Sequence, residues 1–93
     1  MNDRVTKRVI VRGRVQGVGF RYATVREAEA HGVTGWVRNL RDGTVEAVLQ
    51  GSPEAVHRVL AWIERGPEGA HVQGVEVTDT DGEFSGFGTR PTA

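Results

Sequence analysis

Val33-Thr34-Gly35-Trp36-Val37-Arg38-Asn39-Leu40-Arg41-Asp42-Gly43-Thr44-Val45-Glu46-Ala47-Val48-Leu49 is the stretch on which the fold turns. Asp42-Gly43 falls between two strand-like runs, Val33 to Asn39 and Val45 to Leu49. Asp-Gly in that place favours a tight antiparallel hairpin, because glycine accepts the positive φ that such turns need. Toward the C-terminus, Ser52 reads as an N-cap, Pro53 as the first helical residue and Glu54 as a first-turn acid. Val56, Val59, Leu60 and Ile63 then recur at helical spacing, and Arg65, Gly66 and Pro67 end the helix. Val75 and Val77 alternate with Glu76 and Thr78 in a strand over Val72 to Thr80. Toward the N-terminus, a polar lead-in from Met1 to Arg4 precedes another period-two pattern. In it Val9, Val11, Gly13 and Val15 alternate with Arg8, Ile10, Arg12 and Arg14.

Between that strand and the hairpin, Phe20 to His31 contains neither Pro nor Gly until Gly32, which reads as a helix C-terminal signal. Its stripe of Phe20, Ala23, Thr24, Ala28 and His31 is only weakly apolar. The resulting order, strand, helix, strand, strand, helix, strand, describes an α+β, ferredoxin-like βαββαβ sandwich. A mainly antiparallel sheet would carry both helices on one face. Asp79 to Glu83 reads as a polar turn, and Phe84 to Arg90 as at most a short edge strand before Pro91. Such a fold serves many functions and names none.

Composition narrows the field further. With 93 residues the chain is expected to form one domain, 1–93. Twelve Lys and Arg balance twelve Asp and Glu, so no broad basic surface for nucleic acid is expected and any anion site must be local. All the cations but Lys7 are Arg. No apolar run approaches the roughly 20 residues of a bilayer span, and no apolar segment follows Met1. A soluble, cytoplasmic protein is expected. Cysteine is absent, which removes disulfides, thiol catalysis and thiolate-bound zinc.

The chemistry concentrates in Gly13-Arg14-Val15-Gln16-Gly17-Val18-Gly19-Phe20-Arg21, a strand-to-helix loop with a guanidinium at the junction. Glycines let successive amides turn inward as a nest, and a helix start adds free N–H groups and about half a positive charge. Arg21 offers a planar fork for two phosphate oxygens. A plain structural turn competes with this reading. The loop is not a Walker motif, since no Lys-Ser or Lys-Thr closes it, and the glycine spacing is not that of a dinucleotide site. In the second cluster, Asn39 ends a strand just before the hairpin turn. It could bond its own backbone, as Asn often does at strand ends. Alternatively its neutral amide could hold a water molecule in line with a phosphoryl group.

Together the two segments resemble the two signature motifs of the acylphosphatase family. Gly13-x-Val15-Gln16-Gly17-Val18-x-Phe20-Arg21 is similar to the first, and Gly35-Trp36-Val37-Arg38-Asn39-x-x-x-Gly43-x-Val45-Glu46 to the second. In length and element order the resemblance covers nearly the whole chain. It weakens after Glu83, where the family's terminal strand and closing aromatic give way to Phe87-Gly88-Thr89-Arg90-Pro91. The resemblance implies hydrolysis of a small-molecule acyl phosphate to a carboxylate and inorganic phosphate, without cofactor or metal. It places the phosphate on the backbone of Val15, Gln16, Gly17, Val18, Gly19 and Phe20, with Arg21 as the phosphate-binding arginine and Asn39 as the water-positioning asparagine. A monomer is expected, binding neither nucleic acid nor membrane.

The remaining candidates have weaker cases. His31, His57 and His71 fall on different expected elements, against a metal site. Trp36 and Trp62 read as core or rim, Asp42 and Glu46 as turn and cross-strand residues. Arg8, Arg12 and Arg14 read as solvated charge on the face away from the helices, with Arg14 near enough to assist an anion. The alternative function is a non-catalytic phosphate-binding regulatory module on the same scaffold. A single-stranded RNA binder shares the element order, but Val9 to Arg14 and Val45 to Leu49 lack the aromatics it would stack on bases.

Overall fold

A computed structural model describes residues 3–93; Met1 and Asn2, part of the expected polar lead-in, lie outside the described residues. Seven elements follow in order: β1 (Val5–Arg14), α1 (Phe20–Ala30), β2 (Thr34–Asn39), β3 (Val45–Gly51), α2 (Pro53–Arg65), β4 (His71–Asp79) and β5 (Phe87–Thr89). The sheet order is β4-β1-β3-β2-β5. Every pairing is antiparallel except β2 with β5, and the fold is the expected ferredoxin-like α+β architecture.

Alternation in the strands builds the core. Val9 and Val11 lie opposite Ala47 and Val45 of β3, and all four are buried. Val37 of β2 pairs with Ala47 and completes the helix-facing layer. Onto it α1 lays Phe20, Thr24 and Ala28, while α2 lays Val56, Val59 and Ile63. Each large apolar side chain so buried contributes roughly 1.5–3 kcal/mol. α2 is stitched at its start by the Ser52 hydroxyl, which accepts from the Ala55 amide at 3.1 Å, with Pro53 at its first turn.

The hairpin turn forms at Leu40 to Thr44, where the Leu40 amide donates to the Thr44 carbonyl at 2.9 Å. Asp42 Oδ1 accepts from the Thr44 amide and hydroxyl. The hydroxyl bond first, then the amide bond, holds the Asp42 carboxyl below the usual carboxylate range. The connection after β4 crosses the end of the sheet away from this turn. Its Thr80 amide donates to Thr6 O, and its Gly82 and Gly86 carbonyls accept from Gln50 Nε2 and the Gly35 amide. It delivers the chain to the far edge, where Phe87–Thr89 pair with β2 and the Arg90 and Ala93 amides donate to Val37 O and Asn39 O.

On the face away from the helices the arginines are more organised than solvated charge. Glu46, only 5% exposed, accepts from Arg8 Nε at 2.6 Å and from Arg38 Nε at 2.7 Å. Burial pushes its carboxyl up, but the two arginine hydrogen bonds and charges outweigh that and leave it lowered. Arg12 reaches Glu76 at 3.9 Å. The guanidinium groups of Arg38 and Arg90 lie 4.8 and 4.4 Å from the Trp36 ring centre.

Candidate functional site

Residues Val15 to Gly19 form the loop from β1 to α1. Its two ends are fixed by apolar burial, since Val15 and Phe20 are buried and the Phe20 ring meets Trp62 at 5.7 Å. Between these anchors the backbone bends through positive φ at Gly17 and Gly19, 76° and 79°. An L side chain resists that conformation, at about 1–2 kcal/mol per residue. Gly19 is also the N-cap of α1, with no side-chain capping bond.

This arrangement leaves the amides free. The first helical hydrogen bond runs from the Ala23 amide to Gly19 O at 3.0 Å. Among the described residues, no backbone N–H from Gln16 to Tyr22 donates to a protein acceptor. A run of unpaired donors at a helix start is an anion-binding feature, and the helix dipole adds to it. Arg21, in the first turn of α1, is exposed, and no carboxylate of the described residues lies within 4.0 Å of it.

The Gln16 side chain ties this loop to the hairpin. Its Nε2 donates to Leu40 O and to Thr44 O, both at 2.8 Å, and so brings the loop against the turn that follows Asn39. Asn39 ends β2 opposite the buried Val45, on the helix-facing side by strand alternation. Among the described residues its side-chain amide makes no hydrogen bond, so the turn-chemistry reading of Asn39 is not what holds it. Its backbone carbonyl instead accepts from the Ala93 amide at 3.1 Å.

The loop, the first turn of α1 with Arg21, and Asn39 thus lie at the same end of the sheet. The role of the Gln16 side chain was not legible, because its acceptors lie 24 and 28 positions along the chain and no local pattern marks such a bond. Arg14 ends β1 opposite His71 and is exposed, with no ion pair among the described residues. His31 sits at the end of α1, 3.3 Å from Glu27, His57 on α2 and His71 at the start of β4. Among the described residues no three His, Asp or Glu side chains come together in a metal-binding arrangement. Among the described residues no helix is long and apolar enough to cross a membrane.

A run of unpaired donors, a cation without a carboxylate partner among the described residues and a neutral amide at one end of the sheet suit a tetrahedral anion attacked by water. Comparison with known proteins points the same way. The family model described as Acylphosphatase matches residues 7–89. An acylphosphatase from Thiobacillus denitrificans is 56% identical over 80 residues, spanning 86% of this chain and 90% of that protein. The structure of an acylphosphatase from Coxiella burnetii superposes with a TM-score of 0.91 at 35% identity, over 95% of this chain and 94% of that one. That of an acylphosphatase from Bacillus subtilis gives 0.88 at 34%, over 92% and 98%.

Proposed function

The chain belongs to the acylphosphatase family, and from that premise we propose that the loop from Val15 to Phe20, with Arg21 and Asn39, hydrolyses an acyl phosphate to a carboxylate and inorganic phosphate. The observation that carries the reading is the run of unpaired amides from Gln16 to Tyr22 beside an Arg21 with no carboxylate partner. The amides and the Arg21 fork bind the phosphoryl oxygens, and the Asn39 amide orients a water molecule toward phosphorus. The water oxygen bonds to phosphorus as the bond from phosphorus to the acyl oxygen breaks, and that bond's electron pair leaves with the carboxylate. The water's protons pass to phosphoryl oxygens and solvent.

The leaving carboxylate has a conjugate acid of pKa about 4, so it departs without a general acid. Catalysis then rests on positioning and on donors aimed at charge developing on the equatorial oxygens. The site works without cofactor in this scheme. The proposal includes a single-domain monomer acting in the cytoplasm and binding neither nucleic acid nor membrane. Balanced charge and the lack of cysteine support those parts.

Purified protein is expected to release phosphate from benzoyl phosphate, with inorganic phosphate as a competitive inhibitor. Calorimetric binding of phosphate without any turnover of acyl phosphates would instead identify the non-catalytic anion-binding module.

A further inference from the structure

Hydrogen bonding ties the loop from β1 to α1 to the rest of the protein through one side chain. Among the described residues, the bonds from Gln16 Nε2 to Leu40 O and Thr44 O, both 2.8 Å, are the hydrogen bonds that residues 16 to 18 make. Both acceptors are carbonyls, so only the amide nitrogen of Gln16 can face them. Neither carbonyl depends on it. Leu40 O already accepts from the Gly43 amide at 3.1 Å, Thr44 O from the Leu40 amide at 2.9 Å, and Asn39 O from the Ala93 amide at 3.1 Å. The turn is thus bonded without Gln16. What the side chain adds is a fixed separation between the loop and Asn39, which directly precedes one of the two acceptors.

We infer that the Gln16 side chain is a positioning residue for the hydrolysis, setting the distance from the phosphate-holding loop to Asn39 so that the water meets phosphorus in line. The inference rests on the hydrolase reading above. Both hydrogens of the Gln16 amide nitrogen are directed to carbonyls, which leaves that nitrogen no donor for phosphate. The cradle is shaped by other means: the dihedral angles of Gly17 and Gly19 and the buried anchors Val15 and Phe20. Phosphate binding therefore does not depend on the tie, but the attack does. A misplacement of about 1 Å between reacting groups costs up to about a hundred-fold in rate. Gln16 acts through Asn39.

The test uses the full chain with benzoyl phosphate as substrate and inorganic phosphate as inhibitor. Gln16→Met keeps the half-buried stem and loses both donors. Its kcat is expected to fall about ten-fold, while the Ki of phosphate changes less than about two-fold. Gln16→Asn, which keeps the amide on a stem one methylene shorter, adds no apolar surface and should show the same split. In an Asn39→Ala background, Gln16→Met should lower kcat less than about two-fold further, because the group that it positions is gone. An unchanged kcat in the single variants, a Ki that rises as far as kcat falls, or an undiminished ten-fold loss in the Asn39→Ala background would each overturn the assignment. Failure of the wild type to hydrolyse benzoyl phosphate is a separate result, which removes the hydrolase reading itself.

Discussion

The two helices begin in opposite ways. α2 starts with Ser52, whose hydroxyl takes the Ala55 amide, followed by Pro53, which has no amide proton to satisfy. α1 starts at Gly19 in the left-handed region with no side-chain cap, and its leading amides stay unpaired. Their inner faces differ too. α2 packs Val56, Val59 and Ile63 into the core, whereas α1 relies on Phe20, a threonine and an alanine. One helix start is arranged for stability. The other begins on a glycine, which gives up roughly a few tenths of a kcal/mol of capping energy and leaves its leading donors unpaired among the described residues. Phe20 and Val15 then hold in place a loop that has few hydrogen bonds of its own.

Breaking the candidate site at the start of α1 or the end of β2 should abolish or sharply reduce function and leave the fold intact. Arg21→Gln removes a cation with no carboxylate partner, so kcat/KM for benzoyl phosphate should fall by about a thousand-fold without a shift in the urea midpoint. Retained activity in this variant would dismiss the assigned role. Asn39→Ala should lower kcat about a hundred-fold with KM changed less than about two-fold, since a water-orienting group acts mainly in the transition state. Steady-state kinetics that showed a KM effect alone would move Asn39 to substrate binding.

A site remote from both helix starts sharpens the contrast. Glu46→Gln deprives Arg8 and Arg38 of their shared carboxylate and should destabilise the protein by about 2 kcal/mol, discounted for the partial exposure of both arginines. Because the folded-state pKa of Glu46 is lowered, its contribution is complete above the ordinary glutamate value of about 4.3. It is lost as pH falls through the lower folded value. Urea titrations from pH 6 down to about 3 should therefore show an acid-side decline in the wild type that is shallower in Glu46→Gln. The smallest effect belongs to α2: Ser52→Ala should cost about 1 kcal/mol in chemical denaturation with turnover unchanged. Any loss of turnover there would blur the division between the two helix starts.

The parts of the candidate site could be singled out early because each is contiguous in the chain. Gly17, Gly19 and Arg21 lie within one loop and the first turn of a helix, and Asn39 sits just ahead of an Asp-Gly turn. The short β5 strand was legible only as a possible edge, because glycines and a three-residue length weaken every local signal. Its parallel partner β2 is chosen by the path of the crossing connection. The depth of Glu46 was likewise hidden. Alternation placed it on the face away from the helices, yet arginines from β1 and β2 converge there and cover it.

Period-two and helical spacing, an Asp-Gly turn, a Ser-Pro helix start and two glycine-bearing motifs determined the element order, the antiparallel hairpin and the place of the candidate loop between β1 and α1. Each is a property of near neighbours along the chain, governed by dihedral preference and side-chain period. Only the tertiary structure decided that Gln16 clamps the loop to the hairpin and that Arg8 and Arg38 share Glu46. Those depend on which distant side chains packing brings within a few ångströms, and no local propensity encodes that distance.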